Sequence, residues 1–155
     1  MGEVQLAALL CAFLAGSEKE ERHYFDVYDT KRYVRVDCET PEHVIEVGLD
    51  GTSSARDSVH QALFFAHLTG KRPVVVMIDQ DGYEGRFEYE IRHVAAMAGV
   101  AYARCSKSAI LRWVESSPMR VQGRSAGVND LPATGALGGA CDLATIFEPE
   151  AREAS

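Results

Sequence analysis

Apolar residues recur at two different spacings along the first half of the chain. The apolar residues nearest the amino terminus recur at helical spacing and predict an amphipathic packing helix: Leu6, Leu9, Leu10, Phe13 and Leu14. Runs rich in β-branched and aromatic residues follow at 23–28, 33–38 and 43–49, with turn residues between them. These runs predict three antiparallel strands that are joined in sequence order.

The second half of the chain alternates helical and strand patterns. Residues 55–69 and 85–98 each carry an apolar stripe at helical spacing. Residues 73–79, PVVVMID, are almost continuously apolar, which is typical of a strand covered on both faces. A short strand at 99–104 and a helix at 106–115 complete the pattern. The prediction is an α/β fold with a central mixed β-sheet flanked by helices and an α-β-β-β-α-β core.

Composition places this pattern in one globular domain. The chain has 155 residues, of which 46% are hydrophobic and 25% charged, so wholesale disorder is excluded. We assign the domain to residues 1–116. Residues 117–155 are rich in Gly, Ala and Pro and predict a flexible tail, with a short docked helix around residues 143–147. We expect removal of residues 129–155 to leave stability nearly unchanged.

The amino-terminal segment and the cysteines bear on the cellular compartment. The apolar run from Gln5 to Gly16 has the length of a signal-peptide core, but Glu3 precedes it and no A-x-A site follows. It is too short to span a bilayer. We therefore expect a cytoplasmic protein, with export as the alternative if residues 1–16 are an atypical signal peptide. The cysteines are widely spaced and are expected to be reduced thiols: Cys11, Cys38, Cys105 and Cys141.

Charge is unevenly distributed. Sixteen Lys and Arg residues against 23 Asp and Glu residues give a net charge of −7, which argues against a general electrostatic coat for nucleic acid. Residues 104–124, however, contain a single acidic residue, Glu115, among five basic ones: Arg104, Lys107, Arg112, Arg120 and Arg124. This basic strip is a candidate contact for DNA. The alternative is a solvated helix face that continues into a loop.

Two carboxylates are predicted to face each other across a hairpin. If the chain turns symmetrically about Pro41 and Glu42, Asp37 lies directly opposite Glu46. Like charges at such positions need a cation, and oxygen ligands suit Mg²⁺ or Mn²⁺. The alternative is a salt-bridge network with Arg35 or Arg22. Strict alternation would place Val36 and Cys38 together on the opposite, apolar face with Ile45.

Another acidic sequence, Asp79-Gln80-Asp81-Gly82, resembles the start of a calcium-binding loop. No glutamate stands where the twelfth residue of such a loop would complete the site. The sequence therefore predicts a turn here.

Four segments carry a combination of motifs: Glu20 to Tyr24, RVDCET at 35–40, HVIEV at 43–47 and QALFFAHLTGKRPVVVMI at 61–78. Together these segments resemble the PD-(D/E)XK nuclease-like superfamily, in particular small bacterial proteins with a restriction-endonuclease-like fold. The resemblance implies a metal site and its supporting residues: Asp37 and Glu46 as metal ligands, Glu20 or Glu21 completing the site, and Gln61 on the following helix. It implies metal-dependent hydrolysis of phosphodiester bonds in DNA.

The sequence departs from this pattern at the motif lysine. Gly48 stands two residues after Glu46, where the family has lysine. Arg56 and Lys71 are possible substitutes. Arg56 is the better placed of the two, although an arginine side chain is a poor proton donor or acceptor. A Gly48→Lys change is expected to add cleavage, at little or no cost to the strand, because Gly weakens strand interiors. The alternative function is a catalytically impaired nuclease fold that acts as a binding or interaction module.

Overall fold

The computed structural model of the protein describes residues 2–14, 22–115, 141 and 143–147. The helices in these residues are α1 (Glu3–Phe13), α2 (Asp57–Thr69), α3 (Arg86–Ala98), α4 (Lys107–Glu115) and α5 (Ala144–Phe147). The strands are β1 (Arg22–Val27), β2 (Thr30–Arg35), β3 (Cys38–Glu39), β4 (His43–Leu49), β5 (Arg72–Asp79) and β6 (Ala101–Ser106). A 3₁₀ turn, Ser53–Arg56, leads into α2.

The central sheet has the strand order β3-β4-β5-β6 and is mixed. β3 runs antiparallel to β4, whereas β4, β5 and β6 are mutually parallel. This confirms the predicted α/β class with a mixed sheet flanked by helices. The predicted meander of three strands is wrong, because β1 and β2 form a separate two-stranded antiparallel sheet.

The meander is interrupted at Asp37. The Asp37 side chain accepts a hydrogen bond from the Val47 backbone N–H at 3.0 Å. The Asp37 backbone N–H donates a hydrogen bond to Glu46 Oε1 at 3.3 Å. These hydrogen bonds to side chains replace the backbone–backbone hydrogen bonds that a continuous strand would form. Alternation is lost at this point, so Val36 packs with Phe65 of α2 whereas Cys38 joins the core beside α1. The expectation that Val36 and Cys38 share a face is therefore wrong.

Helices cover both faces of the sheet and enclose its apolar side chains. On one face, α1 and α4 pack over β4, β5 and β6, and α1 contributes Leu6 and Leu10 to this core. On the other face, α2 and α3 pack over Val75 and Met77 of β5. The packing interpretation of the amino-terminal apolar segment is thus confirmed. Within the described residues, no helix has the length and apolar character needed to cross a membrane.

All four cysteines form disulfides, which corrects the expectation of reduced thiols. Cys11 of α1 is bonded to Cys38 of β3, and Cys105 of β6 is bonded to Cys141. The partners are 27 and 36 residues apart in the sequence. Spacing alone carried no signal for these pairs, because only the packing of α1 and of the 141 segment against the sheet brings them together.

The segment around residue 143 belongs to the core. Leu143 is 1% exposed and packs in the cluster that contains Leu6 and Ile110, and α5 follows it directly. The predicted short docked helix is confirmed. A dispensable carboxyl-terminal tail does not fit this packing, because its removal would take away Leu143 and the disulfide partner Cys141. Residues 116–140, 142 and 148–155, where a flexible tail was expected, lie outside the described residues.

Candidate metal centre

The carboxylates predicted to face each other do lie together. The β3–β4 register pairs Cys38 with Ile45, and its continuation places Asp37 opposite Glu46. The 3.3 Å contact from the Asp37 N–H to Glu46 Oε1 confirms this proximity. Asp37 is exposed, whereas Glu46 is only 3% exposed beneath α2. One oxygen of each carboxylate therefore accepts a hydrogen bond from the backbone in this strand junction.

The other residues implied for this site are placed differently. Arg56 is exposed in the 3₁₀ turn, where its Nε donates to the Ser53 carbonyl and its guanidinium lies 5.1 Å from the Phe87 ring centroid. Arg56 is thus directed toward α3. Gln61 is an exposed residue of α2. Glu20 and Glu21 lie outside the described residues.

The position of the motif lysine is sterically closed. A Cβ atom on Gly48 would lie 3.1 Å from Met77 Cε and from Ser58 Oγ, and 3.2 Å from Ala55 Cβ. The absence of a side chain lets the 3₁₀ turn and α2 approach β4 closely. A lysine has no room here, so the expectation that Gly48→Lys restores a site does not fit this packing. Lys71, the second possible substitute, forms an ion pair with Glu39, in which Nζ lies 2.9 Å from Oε2.

A second group of acids lies at the carboxyl ends of the parallel strands. Asp50 follows β4, Asp79 ends β5, Asp81 lies on the next turn, and Glu88 is in the first turn of α3. One carboxylate oxygen from each lies within 4.8 Å of the others. Three of the four residues are buried, and Asp81 is exposed at the surface. We call these four residues the acidic cluster.

Gln80 and Gly82 fix two members of the acidic cluster. The parallel register pairs Leu49 with Ile78, so Asp50 and Asp79 emerge side by side. The Gln80 backbone N–H donates to Asp50 Oδ2 at 2.9 Å, and the Gln80 side-chain amide donates to Oδ1 at 3.1 Å. The Gly82 N–H donates to Asp79 Oδ1 at 3.1 Å from a left-handed conformation with φ of 86°, which favours glycine.

Local backbone donors hold the other two members. The Tyr83 N–H donates to Asp81 Oδ1 at 2.9 Å. At the start of α3, the Gly85 N–H donates to Glu88 Oε1 at 3.2 Å. Glu88 thereby caps its own helix and is held facing the end of the sheet. Hydrogen bonds thus orient each carboxylate, and the sheet brings together the elements that carry the four residues.

Arg104 of β6 is the cation that meets the acidic cluster. Its Nη2 lies 3.0 Å from Asp79 Oδ2, and its Nε lies 3.2 Å from Glu88 Oε2. Neither contact has the alignment of a hydrogen bond, so the buried atoms Arg104 Nε, Arg104 Nη2 and Glu88 Oε2 have ionic neighbours but no hydrogen-bond partner. One guanidinium therefore faces a cluster that carries up to four negative charges.

The protonation of the cluster reflects this imbalance. Burial raises the pKa of Asp79, and Arg104 only partly opposes that effect. Burial likewise raises the pKa of Glu88. Asp81 differs, because the hydrogen bond from the Tyr83 N–H lowers its pKa. Two buried carboxyls thus resist ionisation, and an additional cation nearby would favour their charged forms.

The donor set fits a hard divalent cation. All four ligands are carboxylate oxygens, the ligand type that Mg²⁺, Mn²⁺ and Ca²⁺ prefer. Oxygens on opposite sides of Mg²⁺ lie about 4.2 Å apart, and those around Ca²⁺ about 4.8 Å apart. Ligand atoms within 4.8 Å of one another are compatible with either cation.

The acidic cluster is distinct from the predicted pair. Glu46 lies four residues before Asp50, a distance of about 13 Å along an extended strand. Asp79 and Asp81 were predicted to lie in a turn, because their segment lacks the glutamate that would complete a calcium-binding loop. The sequence did contain an indication of the cluster. Asp50 follows one buried strand and Asp79 ends another, and parallel strands end at the same edge of a sheet.

The predicted basic strip is not a continuous surface in the described part of the chain. Arg104 is paired with Asp79 and Glu88 of the acidic cluster, so it does not form one open basic surface with the other members of the strip. Arg112 is exposed on α4, and Lys107 is half-buried. Arg120 and Arg124 lie outside the described residues.

Comparisons with known proteins give no relative for this arrangement. No family model matches the chain, and neither a curated protein nor a solved structure matches it.

Proposed function

We propose that the protein hydrolyses phosphodiester bonds in DNA with the help of Mg²⁺ or Mn²⁺ held by the acidic cluster. The observation that carries this proposal is the convergence of four carboxylates within 4.8 Å at the carboxyl ends of parallel strands, next to Arg104. Ligands of open α/β sheets bind at this edge. A cation held there would activate water and offset negative charge on the scissile phosphate.

The residues of this chain have separable tasks in such a site. Asp50, Asp79 and Asp81 orient their carboxylates through the backbone bonds described above. Arg104 positions Asp79 and Glu88 from β6. A guanidinium has five N–H donors, more than these two contacts use, and its planar geometry matches a phosphate group. Arg104 is therefore the residue that we expect to contact the phosphate.

DNA is proposed as the substrate on the strength of the resemblance to PD-(D/E)XK nucleases. The same resemblance assigned the metal to Asp37 and Glu46. We favour the acidic cluster as the metal site, because it brings four carboxylates within 4.8 Å of one another, whereas no third acid joins Asp37 and Glu46 at such distances within the described residues. The pair Asp37 and Glu46 remains the alternative ligand set.

Calorimetric titration with MnCl₂ distinguishes the two ligand sets. We expect Asp79→Asn to abolish binding and Asp37→Asn to retain it. Glu90→Gln, which removes an exposed acid of α3 outside the cluster, is the matched control and should bind as the wild type does. Binding lost in Asp37→Asn but kept in Asp79→Asn would move the metal to the other pair. A wild type that does not bind Mn²⁺ contradicts both assignments.

Cleavage is tested with end-labelled DNA in Mg²⁺, in Mn²⁺ and in EDTA. Wild-type cleavage should require the metal, and Asp79→Asn should reduce its rate by roughly 10²–10³-fold, the usual cost of removing charge stabilisation at a transition state. The same variant controls for a contaminating nuclease, which would be unaffected by the substitution.

A second candidate function is a metal-binding module without catalysis. The observation that favours it is the close packing around Gly48, which leaves no room for the lysine of the nuclease motif. Metal binding without any metal-dependent cleavage of single-stranded or duplex DNA would select this function.

A further inference from the structure

The β1–β2 hairpin has two faces of different character. Its inner face packs on the rest of the protein: the Phe25 ring meets the Phe64 ring of α2 edge to face at 5.0 Å, and His23 Nε2 lies 2.7 Å from Glu39 Oε1. These contacts anchor the hairpin, although it belongs to a sheet of its own. The outer face is therefore presented from a fixed support.

The outer face carries aromatic rings and cations in an ordered array. The register pairs Tyr24 with Tyr33 and Arg22 with Arg35, so these four side chains project together. The two ring centroids are 5.8 Å apart. Arg22 and Arg35 lie 4.8 and 5.8 Å from the Tyr33 centroid, and Lys31 lies 5.0 Å from that of Tyr24.

This face is exposed and differs in charge from the rest of the molecule. Tyr24 is 54% exposed and Tyr33 is 47% exposed. Within the described strands β1 and β2, the outer face holds three basic side chains against one acid, Asp26, which pairs with Lys31 in the register. The whole chain carries a net charge of −7. A local excess of cations among exposed rings is complementary to a polyanion that also offers flat apolar surfaces.

We propose that the outer face of the hairpin binds single-stranded nucleic acid, with bases stacked on Tyr24 and Tyr33 and phosphates next to Arg22 and Lys31. Stacking on aromatic rings needs bases whose faces are accessible, which a single strand offers and a duplex does not. An acidic protein would use the charges but not the rings, and an anionic membrane would accommodate the rings at its interface without offering flat bases that stack on them. The inference deepens the proposed nuclease function by naming its substrate class, and in that respect it rests on that function.

Stacking is tested by fluorescence anisotropy with a labelled oligothymidylate in EDTA. The wild type should bind, and Tyr24→Ala and Tyr33→Ala should each raise Kd by roughly tenfold. Tyr24→Phe and Tyr33→Phe keep the ring and should bind as the wild type does. Tyr89→Ala is the matched control, because Tyr89 on α3 is also 54% exposed and also lies beside an arginine, Arg92.

Phosphate contact is tested by the salt dependence of the same binding. Each phosphate contact on a single strand contributes about 0.7 to the slope of log Kd against log salt concentration. Arg22→Gln with Lys31→Gln should therefore lower that slope by about 1.4. Arg86→Gln, which removes an exposed arginine of α3, should leave the slope unchanged. This pair of variants also serves if an alanine variant fails to fold.

Several results would overturn the inference. One is a failure of oligothymidylate to bind, and another is equal affinity for a duplex of the same length. A third is a loss of affinity in Tyr89→Ala as large as that in Tyr24→Ala and Tyr33→Ala. The last is binding of the protein to phosphatidylserine vesicles that depends on Arg22 and Lys31 but not on the tyrosines. The assay contains no metal, so it is independent of the acidic cluster. Binding without cleavage would support this surface and contradict the nuclease proposal, and the reverse result would contradict this surface alone.

Discussion

Gly48 controls how closely α2 and its preceding turn approach β4. The nearest atoms to a new Cβ would be Met77 Cε, Ser58 Oγ and Ala55 Cβ, at 3.1–3.2 Å. Because a lysine would bring a charged chain into this packed space, we expect Gly48→Lys to lower the free energy of unfolding by more than about 3 kcal/mol. Urea denaturation measures this loss.

The control for Gly48→Lys is a comparison of two alanine variants, Gly48→Ala and Gly85→Ala. Gly48→Ala should destabilise by about 1 kcal/mol, because only small shifts of Met77 and Ser58 are needed. Gly85→Ala adds the same methyl group where the nearest atom, Glu88 Oε1, is 4.0 Å away, and should be milder. A Gly48→Lys protein as stable as the wild type would show that the helix can move aside.

Asp79 and Glu88 make the stability of the metal-free protein depend on pH. Burial raises both pKa values, so the folded state holds protons that the unfolded state has released. Stability should therefore fall as the pH rises above the ordinary carboxyl range, and the fall should end above the folded-state pKa values. We expect Glu88→Gln to flatten this fall in urea titrations run in EDTA.

Asp81 provides a control with the opposite sign. Its pKa is lowered by the Tyr83 N–H bond, so it contributes stability that is present above the ordinary carboxyl pKa and is lost as the pH falls through its own lower value. Asp81→Asn should therefore change the profile only below the ordinary carboxyl pKa, where it removes a rise of stability with pH, and should leave the fall above that pKa as it is in the wild type. Identical pH profiles for wild type and Glu88→Gln would contradict the assignment of a raised pKa to Glu88.

Single residues differ in how far the sequence reveals them. The opposition of Asp37 and Glu46 was predictable, because it depends only on a short symmetric turn. The acidic cluster was not, because it depends on the parallel register between β4 and β5 and on the placement of α3. These depend on long-range packing, which no local pattern encodes.

At the scale of elements, the helices and buried strands follow their periodicity closely. The segment predicted as a helix at 85–98 is α3, and the apolar run at 73–79 lies within β5. The break between β2 and β3 escaped prediction because the Asp37 side chain, not a turn residue, replaces the backbone bonds. Apolar alternation continues through the sequence there, although the strand does not.

The Cys11–Cys38 disulfide fastens α1 to β3. For partners 27 residues apart, loss of the bond should lower the free energy of unfolding by roughly 3–4 kcal/mol. We expect the Cys11→Ser, Cys38→Ser protein to show this loss in urea denaturation, and wild type treated with a reductant to show at least as much. A double variant of unchanged stability would mean that packing of Leu6 and Leu10 alone holds α1.

At the scale of the whole molecule, the segment around Leu143 closes one face of the core. Deletion of residues 129–155 removes Leu143 and the Cys105–Cys141 bond, so we expect the Tm to fall by more than about 10 °C. Deletion of residues 148–155 leaves both in place and is the control. Calorimetry of the two truncations tests this, and equal Tm values would contradict it.

The disulfides also bear on the compartment of the molecule. Disulfides are typical of oxidising compartments and rare in the reducing cytoplasm, which was the location expected from the sequence. Cleavage after residue 16, the alternative route to export, would remove Leu6, Leu10 and Cys11 from the core. In the folded, oxidised molecule, α1 is thus part of the core.

The bond between Cys105 and Cys141 also makes the chain between them a covalent ring. A protease that cuts once inside this ring opens it without releasing a fragment, because both pieces stay attached through sulfur. Such a nicked molecule would keep its mass on a non-reducing gel and separate into two bands only after reduction. After such a cut, Leu143 would remain linked to β6 through the disulfide at Cys141.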